Sequence, residues 1–109
     1  MIWELEYLPE ARDDLAALDG SQRVRVAKAI EKVRTNPLPE TEGGYGKPLG
    51  NRRVSQLCGL MKIKLRSDGI RVVYKLERTE SAMRIVVIGA RSDDQVYREA
   101  LKRRERHNL

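Results

Sequence analysis

From Met61 to Leu76 the sequence takes up a period of two, and this limits the fold more than any other feature. Met61, Ile63 and Leu65 alternate with Lys62, Lys64 and Arg66, which makes one face of the segment apolar and the other cationic. Ser67-Asp68-Gly69 supplies turn residues, and Ile70-Arg71-Val72-Val73-Tyr74-Lys75-Leu76 then alternates again. Two such runs about a short turn predict a β-hairpin. A hairpin with one apolar face cannot stand alone, so the rest of the chain has to extend the sheet and cover that face.

The remaining segments suit that task. Ile2 to Tyr7 reads as a short opening strand, and Pro9 fits the first position of a helix. Ala11, Leu15 and Leu18 fall on one helical stripe over Glu10–Leu18. Asp19-Gly20-Ser21 breaks this helix, and Ser21 is the expected N-cap of a second. In that helix Val24, Ala27, Ile30 and Val33 recur at threes, with Val26 and Ala29 beside them, until Asn36-Pro37. Residues 37–51 hold three of the four prolines and four of the eight glycines, as expected of a connecting loop. After a polar turn at Arg78–Ala82, Met83–Ile88 predicts another strand, and Asp93–Arg106 another helix. The basic run Lys102 to His107 is expected to be a solvated tail.

The order strand, helix, helix and three hairpin-linked strands predicts one α+β domain over 1–109, with helices on one face of a mainly antiparallel four-stranded sheet. The chain has 22 Lys+Arg against 16 Asp+Glu, a net charge of +6. Residues 44–75 alone contain eight bases (Lys47, Arg52, Arg53, Lys62, Lys64, Arg66, Arg71 and Lys75) and one acid, Asp68. Such a concentration points to a polyanionic partner. Cys58 is the only cysteine, which excludes an intramolecular disulfide and a thiolate metal site. The opening MIWELEYLPEARDD has acids where a signal peptide needs bases, and no apolar run reaches the ~18 residues of a membrane span. A cytoplasmic protein without membrane contact is expected.

Alternation puts Lys62 and Lys64 on one face of their strand, with Arg66 continuing the row and Arg71 across the turn. If the polyanion is RNA, cleavage without a metal ion requires attack of a ribose 2′-OH on the neighbouring phosphate. That needs a base, a stabiliser of the phosphoryl charge and an acid for the leaving oxygen. The only histidine, His107, sits near the C-terminus and is a poor candidate. Cations can serve instead, because crowding lowers the pKa of an amine and guanidinium forks match phosphoryl oxygens. Arg91 can join Arg71 in that task, and Tyr97 can stack on a base. The plain alternative is a solvated sheet face.

Lys62-Ile63-Lys64-Leu65-Arg66-Ser67-Asp68-Gly69-Ile70-Arg71-Val72-Val73-Tyr74, followed by Ile88-Gly89-Ala90-Arg91 and Val96-Tyr97-Arg98-Glu99-Ala100, closely resembles the RelE toxins of the RelE/ParE superfamily. The resemblance implies a RelE-like fold and a ribosome-dependent endoribonuclease that cuts mRNA in the ribosomal A site without metal or other cofactor. It also implies silencing by a RelB-like antitoxin. By the same resemblance the catalytic set is Lys62, Lys64, Arg71, Arg91 and Tyr97. Arg52, Arg53, Arg66 and Lys75 are candidates for further RNA contacts. Met61 stands where an aromatic often precedes the first lysine. Two alternatives share the fold: a ParE-like inhibitor of DNA gyrase, and a basic nucleic-acid-binding homologue without turnover.

Overall fold

The computed structural model describes residues 3–49, 59–90 and 92–109. Five strands form one sheet in the order β1-β5-β4-β3-β2. They are β1 (Glu4–Tyr7), β2 (Lys47–Pro48), β3 (Leu60–Leu65), β4 (Ile70–Glu77) and β5 (Ala82–Gly89). The helices are α1 (Pro9–Ala16), α2 (Gly20–Arg34) and α3 (Asp93–Arg106).

The hairpin lies where the alternation puts it. β3 and β4 pair antiparallel, with Lys62 opposite Val73 and Lys64 opposite Arg71, and Gly69 takes the positive φ of 66° that the turn needs. β4 and β5 pair antiparallel with a bulge at Val73/Tyr74, whereas β1 runs parallel to β5 along the far edge.

The expected four-stranded sheet thus gains a fifth strand inside a segment that read as loop. β2 is only two residues long, too short for alternation to register, and Pro48 is tolerated because β2 is an edge strand. Its approach is fixed by packing. A Cβ on Gly46 would lie 2.5 Å from Tyr74 Oη, 2.8 Å from Met61 Sδ and 2.9 Å from the Pro37 carbonyl oxygen. Tyr74 Oη donates to that same carbonyl at 2.9 Å.

The helices do not share one face, contrary to expectation. Pro37, at the end of α2, meets Tyr74 on the apolar side of the sheet. α3 lies on the other side: a side chain built outward from Gly89, which pairs with Arg71, would meet Val96 of α3 at 3.4 Å. Period alone cannot tell which side a terminal helix takes, because this sheet buries residues on both sides. Val73 and Val87 belong to the core although they point the same way as Lys62 and Lys64.

Two further details differ from the sequence reading. Asp19, not Ser21, caps α2, because its carboxylate accepts from the Gln22 amide at 2.8 Å and Gly20 is already helical. The buried stripe of α2 is Val26, Ile30 and Val33, while Val24 is 55% exposed. Spacing by four and three follows the helical turn more closely than repeated threes, which drift around the axis.

Candidate active site

Residues directly opposite one another in a ladder share a face, so the pairings fix what gathers on the side covered by α3. At the level next to the hairpin turn stand Lys64, Arg71 and Gly89. One level further along stand Lys47, Lys62, Val73 and Val87, the first of these contributed by β2 opposite Lys62. The third level holds Leu60, Lys75 and Arg84, with Glu6 of β1 beside Arg84.

Charge changes character along this face. At the far end Lys75 Nζ lies 3.1 Å from Glu77, Arg84 bonds Glu6 at 2.7 Å, and Arg84 also reaches Glu77 at 3.3 Å. The bases there are matched by acids. At the turn end the described strand residues place no acid on this face. Asp68, the one acid of residues 44–75, is held in a two-pronged pair by Arg25 of α2, at 2.6 and 2.8 Å. Those hydrogen bonds keep the Asp68 carboxyl below its usual pKa. Its charge is therefore spent on fastening the turn to α2.

Tyr97 enters this face from α3. Its ring centroid is 5.9 Å from Lys62 Nζ, within range of a cation–π contact, and its hydroxyl is shielded from solvent, as is Arg71 Nε. α3 begins at Ser92, whose hydroxyl accepts from the Gln95 amide at 3.3 Å, and Val96 and Ala100 bury its inner side. A cleft of about 260 Å³ opens beside the turn, lined by Lys64, Arg66 and Arg71 with Leu65, Gly69 and Ile70.

The described part of the expected set is therefore gathered: Lys62, Lys64 and Arg71 share a sheet face, and Tyr97 reaches it from the helix above. Arg66 stands exposed at the hairpin end. Lys75 is on the same face but engaged with Glu77. Arg91, Arg52 and Arg53 lie outside the described residues. Lys47 was visible in the sequence only as one charge among eight, since nothing there marked β2 as a strand. Among the described residues no three His, Cys, Asp or Glu side chains group as a metal site would need. No helix among them is long and apolar enough to cross a membrane.

The basic end of α3 is not a solvated tail. Arg103, 8% exposed, bonds Asp14 of α1 at 2.6 Å, the Val86 carbonyl at 3.0 Å and Glu99 at 2.9 Å. One turn later Arg106 and His107 both reach Glu10, at 2.6 and 2.9 Å. Glu10 and Asp14 are four residues apart on α1, and bases at matching intervals on α3 meet them. The run looked unpartnered because its partners lie about ninety positions away in the sequence.

Comparison with known proteins agrees with this architecture. The chain is 28% identical over 103 residues to the mRNA interferase toxin RelE of Escherichia coli K12, covering 94% of this chain and 98% of the relative. A substituted E. coli RelE toxin in the free state superposes with a TM-score of 0.73 at 26% identity, over 94% of this chain and 98% of the other. The same toxin in complex with a peptide of the antitoxin RelB gives 0.69 at 25% identity, over 92% and 95%. No family model matches the sequence.

Proposed function

We propose that the chain, which is similar to RelE toxins in sequence and in fold, is an endoribonuclease that cuts mRNA in the ribosomal A site and is neutralised by a RelB-like antitoxin. One observation carries the reading: Lys62, Lys64 and Arg71 gather on one sheet face, and Tyr97 closes over Lys62 from α3.

Such a face suits in-line transesterification. The 2′-oxygen attacks phosphorus, the bond to the 5′-oxygen breaks, and a 2′,3′-cyclic phosphate and a 5′-hydroxyl result. Arg71, joined by Arg91, binds the phosphoryl oxygens and offsets the charge that grows on them. Lys62 and Lys64 handle the proton leaving the 2′-hydroxyl and the proton arriving at the 5′-oxygen. Tyr97 orients the nucleotide with its ring. Arg66 lengthens the basic surface for RNA phosphates, and Arg52 and Arg53 are assigned the same task. Lys75 is a weaker contributor, because Glu77 already offsets its charge. The protein needs no metal or cofactor for these steps and works in the cytoplasm, where translating ribosomes and the antitoxin are found.

The test is a reconstituted translation reaction with purified protein and primer extension on the mRNA. Cuts should fall within the A-site codon, and Lys64→Ala should slow cutting by about 100-fold or more, as loss of a proton-transfer group does. Intact mRNA with the unsubstituted protein would overturn the proposal.

A further inference from the structure

Resting on that reading, we propose that Lys47 holds the mRNA phosphate next to the scissile one, acting as a binding residue beyond the catalytic set.

The argument starts from register. Lys47 is the residue of β2 directly opposite Lys62, which puts two ammonium groups on the same face about 5 Å apart at their Cα atoms. Like charges set opposite one another destabilise a sheet, and among the described residues neither lysine has a carboxylate within ion-pair distance to offset this. The position is also not free to drift. Gly46, just before Lys47, is wedged against Tyr74, Met61 and Pro37, and the Leu49 amide just beyond β2 donates to the Leu60 carbonyl at 3.0 Å. Backbone bonds on both sides of Lys47 thus fix which way its side chain leaves the sheet.

Spacing supplies the second part. Lys62 and Lys64 are about 7 Å apart along β3, and Lys47 is one strand spacing further out, about 5 Å, toward the sheet edge. These spacings put the Lys47 Cα about 9 Å from the Lys64 Cα, a gap that two flexible lysine side chains can close to the separation of successive phosphates of an extended RNA strand. It is exposed, so a phosphate can reach it without displacing α3. An RNA strand bound with one phosphate between Lys64, Arg71 and Lys62 would carry the next phosphate toward the β2 edge, where Lys47 waits.

The competing explanation is that Lys47 merely protects an edge strand from pairing with another chain. Programmed ribosomes carrying a short synthetic mRNA separate the two. Lys47→Gln should raise the protein concentration for half-maximal cutting by roughly five-fold, the size of one screened charge contact, and leave the saturated rate unchanged. Replacing each phosphate flanking the cut site in turn with an uncharged methylphosphonate should, at one of the two, weaken the unsubstituted protein to the level of Lys47→Gln and leave the variant unaffected. Equal losses for both proteins at every position, or a half-maximal concentration unchanged by Lys47→Gln with greater self-association, would overturn the proposal. Should the unsubstituted protein fail to cut, the proposed function falls and Lys47 is still tested. Binding to a single-stranded 2′-deoxy oligonucleotide should then show a log K against log salt slope shallower by about 0.7 in Lys47→Gln, and an unchanged slope would overturn the inference.

Discussion

Glu10 shows how much a single side chain at the start of α1 can hold. Its carboxyl is drawn down from 4.5 to about 2, first by its own backbone amide and then by hydrogen bonds from His107 and Arg106. A carboxylate whose pKa is lower folded than unfolded contributes fully above its unfolded pKa, and the contribution disappears as pH falls through the folded value. The attachment of the α3 end is therefore intact above pH 4.5 and is lost between 4.5 and about 2. Urea denaturation of the natural chain and of Glu10→Gln should differ at neutral pH and converge over that window. Asp19, Glu42 and Asp68 also sit below their usual values, but they titrate in both proteins and cancel in the difference. A gap that stays constant from pH 7 to 2 would mean that Glu10 contributes nothing through its charge. In the sequence Glu10 could be read only as an acid suited to the first turn of a helix, since its partners come from the other end of the chain.

Among the elements, β2 depends most on its surroundings. Two residues of strand have little intrinsic preference, and the segment before them is shaped by backbone bonds from the Tyr45 amide to Asn36, from the Gly46 amide to Leu38, and from the Glu40 amide to Gly46, at 2.8–2.9 Å. Gly46→Ala places a methyl group against Tyr74 Oη and the Pro37 carbonyl, and should destabilise the protein by about 1–3 kcal/mol, as overpacking does. Thermal unfolding by circular dichroism measures it, and a Tm equal to that of the natural chain would show that the loop yields. α3 presents the reverse case. Its bounds Asp93–Arg106 were readable from acids placed early and bases late, yet its side of the sheet was not, because Val96 and Ala100 suit any apolar surface. What selects the side is the pairing of Arg103 with Asp14 and of Arg106 with Glu10, contacts that only a folded chain brings together.

Over the whole molecule, charge is sorted rather than spread. Residues 1–43 contain nine acids against six bases, and much of that acidity is consumed within the fold: Glu6 by Arg84, Glu10 by Arg106, Asp14 by Arg103 and Glu42 by Arg78. The bases of β2, β3 and the adjoining turn are grouped on one side, so the external field is stronger there than an even spread of the net charge of +6 would make it. On the proposed function, association with ribosomes should accordingly weaken steeply as salt rises from about 50 to 200 mM, while the cutting rate at saturating protein changes little. A saturated rate that falls with salt as steeply as binding would place the salt-sensitive contacts in the chemical step.

The sequence by itself determined the hairpin, the alternation that puts Lys62, Lys64 and Arg71 on one face, the helices and their approximate bounds, and the concentration of positive charge. These follow from local periodicity, which each residue shares with neighbours two to four positions away. Tertiary structure alone decided that β2 joins the sheet and brings Lys47 opposite Lys62, that α3 crosses the cationic face with Tyr97 over Lys62, and that Glu10, Asp14 and Asp68 are spent on internal pairs. Each of these depends on groups distant in the chain, and the strength of an ion pair or a cross-strand contact is set by separation in space, which no local pattern encodes.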